Sequence, residues 1–205
     1  MGAQTSLTTA RVEELLRKVD DLENRARRSN IRLVGLPESK EGLDMCVFLE
    51  RWIPTTLGER NFPQPLVIER AHRVGRMWNN GTASGSQDPT VRPRAVVMKL
   101  LNYADKVRIM NAARSAGNVF VDGRKVMFFP DLSSELLKKR KLFDAVKRDL
   151  AGLKLQDLRY GLVHPATLLV TIRGRRHTFE KAEAAETFVR RLRQERSGTS
   201  AEDAE

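Results

Sequence analysis

Between residues 30 and 131 short extended runs alternate with stretches of helical spacing, in an order that few folds accommodate. A β-type run at residues 30–37 ends at a proline, and residues 44–57 then space their apolar side chains as a helix does. A second extended run covers residues 66–74, and residues 94–101 carry the clearest strand pattern in the chain. These segments predict the order β-α-β-β.

The same region closes with a second helix and a hairpin. Residues 103–116 keep helical spacing until a glycine stops it, and residues 119–128 predict two strands around Asp122 and Gly123. The complete order β-α-β-β-α-β is that of the ferredoxin-like folds, to which RNA-recognition motifs belong. We therefore predict an α+β domain of this kind over residues 30–131.

A heptad pattern precedes this domain. Apolar residues step by three and four along one face of residues 1–29 and occupy its a and d positions; they are Val12, Leu15, Val19, Leu22 and Ala26. An isolated helix of this length is marginal in water, so the stripe requires a partner surface. We predict a short coiled coil at residues 1–29 that self-associates. The alternative is an amphipathic helix folded against its own domain.

Residues 132–196 predict a second, smaller α+β domain. Two capping serines open what we predict to be one long helix, whose apolar stripe consists of Leu136, Phe143, Val146, Leu150 and Leu153. The following predictions are strands at residues 162–163 and 167–172, a basic turn at 173–176 and a helix at 181–193. The acidic residues 197–205 predict a disordered tail.

Charge points to a polyanionic partner. The chain has 37 Lys and Arg against 26 Asp and Glu, a formal net charge of +11. Basic residues gather in five clusters, at residues 25–28, 70–76, 92–94, 138–141 and 173–176. A run of apolar residues long enough to span a membrane is missing from the sequence, so nucleic acid is favoured over a membrane surface.

The first and third predicted strands carry aliphatic residues where RNA-recognition motifs usually present aromatic ones. Ile31, Leu33 and Val34 occupy the first strand, and residues 95–98 of the third read Ala-Val-Val-Met. We therefore expect binding through phosphates rather than sequence-specific stacking of bases. The first candidates for RNA contacts are the arginines that flank the polar loop at residues 79–86, namely Arg73, Arg76, Arg92 and Arg94.

The sequence offers little to suggest catalysis. His72, His164 and His177 lack metal-ligand spacing, and Cys46 is the only cysteine. A glycine-rich phosphate loop and a nucleophile elbow are likewise missing. We predict a non-enzymatic protein without catalytic residues, cofactor, metal or small-molecule substrate.

Five strings resemble the first-open-reading-frame protein of LINE-type retrotransposons, the LINE-type transposase-domain family. They are residues 22–38 (LENRARRSNIRLVGLPE), 69–73 (ERAHR), 92–94 (RPR), 129–133 (FPDLS) and 164–172 (HPATLLVTI). The likeness extends over about residues 10–192. It implies a homotrimer held by the coiled coil, an atypical RNA-recognition motif and a C-terminal domain. It also implies a nucleic-acid chaperone that packages the element's RNA for transposition.

On positions matching the family, the resemblance implies RNA contacts at Arg73, Arg94, Lys106 and Arg140, supported by Arg27 and Arg28. The basic cluster after residue 137 adds Lys141, and His164 stands where the family commonly has a tyrosine. Single-stranded DNA remains an alternative ligand. Cytoplasmic ribonucleoprotein particles are the implied location, with nuclear entry left open. A competing function is a coiled-coil adaptor that does not bind RNA appreciably.

Overall fold

The structure, a computed structural model, describes residues 2–75 and 93–202. The chain divides into two compact units, Met1–Leu132 and Ser133–Glu205. Each unit has its own apolar core. Helices and antiparallel sheets occur in both, as the predicted α+β class requires.

The first unit begins with a helix and continues as a five-stranded sheet with two further helices. The elements are α1 Gly2–Ala26, β1 Asn30–Val34, α2 Met45–Leu57, a 3-10 turn Glu59–Asn61, β2 Ile68–Val74, β3 Ala95–Leu100, α3 Tyr103–Ala116, β4 Val119–Val121 and β5 Arg124–Pro130. The strand order is β2-β3-β1-β5-β4, and every neighbouring pair is antiparallel. The last two strands extend the sheet beyond β1 on one side.

Local chemistry explains several of these boundaries. The Asp44 carboxylate caps α2 by accepting a hydrogen bond from the Val47 amide at 3.0 Å. Between β4 and β5, Asp122 and Gly123 have φ angles of 49° and 73°, the left-handed turn that suits a two-residue hairpin. The predicted hairpin and the predicted helix α3 are both confirmed. At Gly35, with φ of 94°, a Cβ atom would collide with the Lys125 carbonyl oxygen, so only glycine fits.

The sheet of the first unit has one face against its core and one open face. Ile31 and Leu33 of β1 are fully buried, and their partners across the sheet, Met98 and Val96, are buried with them. Since side chains alternate along a strand, Arg32 points to the opposite face. That face carries the partners of Arg32, which are Val97 on β3 and Phe129 on β5.

The second unit packs helices on a three-stranded sheet. Its elements are α4 Ser134–Lys141, α5 Asp144–Gly152, β6 Arg159–Val163, β7 Thr167–Ile172, β8 Arg175–Phe179 and α6 Ala182–Glu202. The strand order is β6-β7-β8, antiparallel throughout. Buried residues of β7 meet α5 and α6 in the core, including Val170, Val146 and Val189.

Three predictions for this unit differ from the structure. The predicted long helix is divided into α4 and α5, because the chain turns at Leu142 and Phe143. Phe143 and the stripe residues after it belong to the core cluster of this unit, whereas Leu136 does not. Strand β8 occupies part of the predicted basic turn. Its side chains alternate between the two faces of the sheet, so His177 and Phe179 are partly buried while Arg176 is exposed. The predicted tail from residue 197 is helical as far as Glu202, and residues 203–205 lie outside the described residues.

Candidate nucleic-acid interface

Arg73 lies on β2 opposite Val96, on the core side of the sheet. Its side chain is 4% exposed, and its guanidinium donates to both carboxylate oxygens of Glu41, at 2.7 and 2.6 Å. The remaining bonds go to the carbonyl oxygens of Leu36 at 3.0 Å, Pro37 at 2.6 Å and Arg94 at 3.1 Å. Arg73 therefore fixes the loop after β1 to the sheet edge, and a phosphate could reach it only if these bonds were broken.

Arg94 is more accessible. Its guanidinium donates to Glu38 at 3.0 Å, its backbone amide donates to the same carboxylate at 2.7 Å, and its side chain is 26% exposed. The cation is thus oriented by Glu38 at the surface. Arg76 and Arg92, the other two loop-flanking candidates, lie outside the described residues.

The two carboxylates of this network have lowered pKa values. Hydrogen bonds from Arg73 are the largest influence on Glu41 and lower its pKa, outweighing the opposing effect of burial. For Glu38 the largest single influence is burial, which raises the pKa, but the combined hydrogen bonds and charges of Arg94 and Arg73 bring it below the usual value. Both groups are therefore ionised at neutral pH.

Acid should weaken the first unit through this network. A carboxylate whose pKa is lowered by folding contributes stability above its unfolded value, ordinarily 4.5, and that contribution is lost as the pH falls through the folded value. We expect thermal melts of Trp fluorescence to show a falling midpoint from about pH 5 to pH 3. A Glu41→Gln variant should have a lower melting midpoint at neutral pH, and this midpoint should change less as the pH falls. An equal pH dependence in this variant would contradict the expectation.

Arg27, Arg28 and Lys106 meet where α1 joins the sheet. Arg27 donates to the buried Asp131 carboxylate at 3.0 Å. The Arg28 guanidinium lies 4.5 Å from the ring centre of Tyr103, and the Lys106 ammonium donates to the Arg28 carbonyl at 2.5 Å. Burial lowers the pKa of Lys106, with Asp131 acting against that shift and Arg28 adding to it. These contacts hold the end of α1 in place and leave the Arg28 cation at the surface.

Three of the predicted RNA contacts belong to the second unit, where Arg140 holds the turn between β6 and β7. Arg140 of α4 donates to the carbonyl oxygens of Leu162 at 3.0 Å, Val163 at 3.2 Å and Pro165 at 2.9 Å, and burial lowers its pKa. The turn contains the exposed His164, whose peptide bond to Pro165 is cis. Lys141, the neighbour of Arg140, is exposed. Arg140 thus positions the turn, while the other two side chains face solvent.

The apolar stripe of α1 is exposed in the structure. The larger side chains Val12, Leu15, Leu16, Val19 and Leu22 are between 49% and 64% exposed, and Ala26 is exposed as well. This exposure disagrees with the alternative in which the helix folds against its own domain. Lys18 forms an ion pair with Glu14 at 2.7 Å, and Glu23 forms one with Arg27 at 2.8 Å, each four residues away in the same chain.

Sequence reasoning missed the aromatic residues of the open sheet face. Phe129 is 44% exposed, Phe120 60% and Met127 36%, all on the two strands β4 and β5. The signal was the alternation along residues 125–129, in which every second side chain points the same way.

Among the described residues, no helix is long and apolar enough to cross a membrane. The same part of the chain also contains no group of three or more His, Cys, Asp or Glu side chains placed to hold a metal ion.

Comparison with known proteins identifies relatives over most of the chain, although no protein-family model matches it. The mouse (Mus musculus) LINE-1 retrotransposable element ORF1 protein is 28% identical over 170 residues, which is 80% of this chain and 44% of the relative. LINE-1 type transposase domain-containing protein 1 is 25% identical in mouse and in human (Homo sapiens), over 84% and 80% of this chain. The chain spans 21% and 18% of these two relatives, so it matches less than half the length of each of the three.

Proposed function

We propose that this chain, a homologue of LINE-1 ORF1 and LINE-1 type transposase domain-containing proteins, binds single-stranded RNA with little sequence preference and self-associates through α1. In this proposal it packages the RNA of a LINE-type retrotransposon in cytoplasmic ribonucleoprotein particles, acts as a nucleic-acid chaperone and catalyses no reaction. Single-stranded DNA is a second ligand of the same chemistry.

The observation that carries RNA binding is the basic last turn of α4. Four consecutive basic residues occupy it, Lys138 to Lys141, and the three lysines are exposed. Arg140 is engaged by the β6–β7 turn, so the lysines remain for an external anion. Within the described residues, Lys139 and Lys141 have no carboxylate within ion-pair distance, whereas Lys138 pairs with Glu135. The net charge of +11 supports the same ligand class.

The architecture we infer for the whole assembly has three parts. The strand order β2-β3-β1-β5 supports an atypical RNA-recognition motif in the first unit. The exposed heptad stripe supports a coiled coil, and the resemblance to the family favours a homotrimer over other stoichiometries. The second unit would act as the C-terminal nucleic-acid-binding domain.

A salt titration tests RNA binding. We expect the logarithm of the affinity for a fluorescent single-stranded RNA to fall linearly with the logarithm of the salt concentration, because bound phosphates release counterions. Replacing Lys138, Lys139 and Lys141 by alanine should weaken binding for all sequences and flatten the slope, by about one unit for each phosphate that the variant no longer binds. Duplex competitors should displace the strand poorly.

The matched control removes three basic residues elsewhere. Alanine at Arg51, Arg60 and Arg114, which are exposed on α2, the 3-10 turn and α3 of the first unit, should change the slope less than the α4 variant. Negligible affinity at near-physiological salt with retained self-association would contradict RNA packaging and favour the adaptor function. Equal effects of the two triple variants would locate binding elsewhere than α4.

A further inference from the structure

We propose that the open face of the first unit's sheet binds unpaired nucleobases through Phe120, Met127 and Phe129, a surface we call the β4–β5 platform. This inference rests on the proposed function and adds a stacking site to it. Phosphate contacts alone would give binding that is indifferent to the bases, whereas a stacking platform makes the bases contribute to affinity.

The register places the three side chains together. Lys125, Met127 and Phe129 alternate along β5, so that they share the open face and follow one another at about 7 Å. Phe120 on β4 lies directly opposite Lys125 and diagonal to Met127. Two aromatic rings and a thioether therefore share the open face on two neighbouring strands.

Each aromatic ring is paired with a cation from the neighbouring strand. Phe129 lies opposite Arg32 on β1, and Phe120 lies opposite Lys125 on β5. Side chains directly opposite on an antiparallel pair have Cβ atoms about 5 Å apart. A base on either ring would therefore have a cation beside it, within reach of its phosphate.

The charge of this surface favours nucleic acid over a protein partner. On the open-face positions of β1, β4 and β5 the charged residues are Arg32 and Lys125, and both are basic. Arg32 is 41% exposed although it approaches Asp131 at 3.6 Å, so its guanidinium can still meet solvent. Exposed apolar side chains rimmed by cations suit a ligand that has flat apolar faces and a negative backbone.

The platform differs from the usual aromatic arrangement of RNA-recognition motifs, in which the two central strands carry the rings. Here strand β3 contributes Val97, which is 9% exposed. The rings come from β5, on the other side of β1, and from the edge strand β4. Bases would accordingly lie toward the β4 side of the sheet.

Two single-stranded RNAs of equal length test the platform, one with normal bases and 2-aminopurine as a fluorescent base, the other with abasic sites. The native full chain should bind the base-containing strand about tenfold more tightly and quench the 2-aminopurine fluorescence. A Phe120→Ala/Phe129→Ala variant should bind that strand about tenfold more weakly, show little of the quenching and bind the abasic strand unchanged. The salt slope should stay the same, because phosphate contacts are retained.

Controls separate stacking from folding and from a general decrease in apolar area. Leu43→Ala removes an exposed side chain from the loop before α2 and should leave both affinities unchanged. Phe129→Leu keeps apolar area without a ring, so it should still reduce quenching if the double variant proves unstable. Trp-fluorescence melts establish that each variant is folded.

The outcomes distinguish this inference from the proposed function. Equal affinity of the native chain for the two strands, with a normal salt slope, would overturn the platform and leave phosphate-driven binding intact. Failure to bind either strand would overturn both. A double variant with unchanged base-dependent binding and altered sedimentation mass would assign the face to protein contact and overturn the platform.

Discussion

Under the self-association and RNA binding proposed above, replacing Leu15 and Leu22 by aspartate is expected to make the protein monomeric and to weaken its binding to single-stranded RNA by about 100-fold or more. The two side chains are 58% and 64% exposed at consecutive d positions of α1, where the described chain offers them no cover. Burying a leucine contributes about 1.5–3 kcal/mol. Two leucines on every helix would therefore supply most of the free energy of association through so short a helix. Affinity falls as well because linked binding sites increase the effective concentration of one another.

Sedimentation analysis and the RNA titration measure the two effects separately. Arg17→Asp is the matched control, because it changes the charge by the same two units at a position outside the a and d seam. It should leave the mass unchanged and lower RNA affinity modestly. If the double-aspartate variant stays oligomeric, α1 is not the site of association. If it becomes monomeric with full RNA affinity, multivalency does not drive binding.

Replacing Arg73 by alanine is expected to lower the free energy of unfolding of the first unit by about 3–5 kcal/mol. The guanidinium is almost fully enclosed, and its removal leaves the Glu41 carboxylate and three backbone carbonyls without their donor. Arg73→Lys keeps the charge but cannot reproduce the forked geometry, so it should cost about 1–3 kcal/mol.

Urea unfolding followed by Trp fluorescence isolates this effect, since both tryptophans, Trp52 and Trp78, belong to the first unit. Arg70→Ala on the same strand removes an exposed arginine and should change stability by less than about 0.5 kcal/mol. RNA binding by folded Arg73→Lys should keep the native salt slope. A stable Arg73→Ala variant that no longer binds RNA would instead make Arg73 a direct contact.

Element positions were predictable where the pattern was strong and local. Helix α3 was predicted residue for residue, and the hairpin at Asp122 and Gly123 follows from a turn chemistry that depends on two residues. Strand β8 was missed because three of its five residues are basic or histidine, which favours a turn when only composition is considered. The break between α4 and α5 was missed because the apolar spacing continues across it.

The roles of individual cations were not predictable in the same way. Three of the predicted contacts belong to basic clusters or to motifs shared with a family: Arg73, Lys106 and Arg140. In the sequence they cannot be told apart from exposed arginines and lysines. In the structure each donates to backbone carbonyls from distant parts of the chain, 21 to 78 residues away. Such partners come together only on folding, so no pattern of neighbours could reveal them.

Sequence alone determined the α+β class, the heptad stripe of α1, the strong basic charge and the relationship to the LINE-1 proteins, because each depends on residue type and short-range spacing. Tertiary structure decided which cations are exposed to solvent and which donate hydrogen bonds to loop carbonyls. It also brought Phe120, Met127 and Phe129 onto one open face. The physical reason is that burial and strand register are long-range properties. Exposure at one position is set by residues that lie far away along the chain.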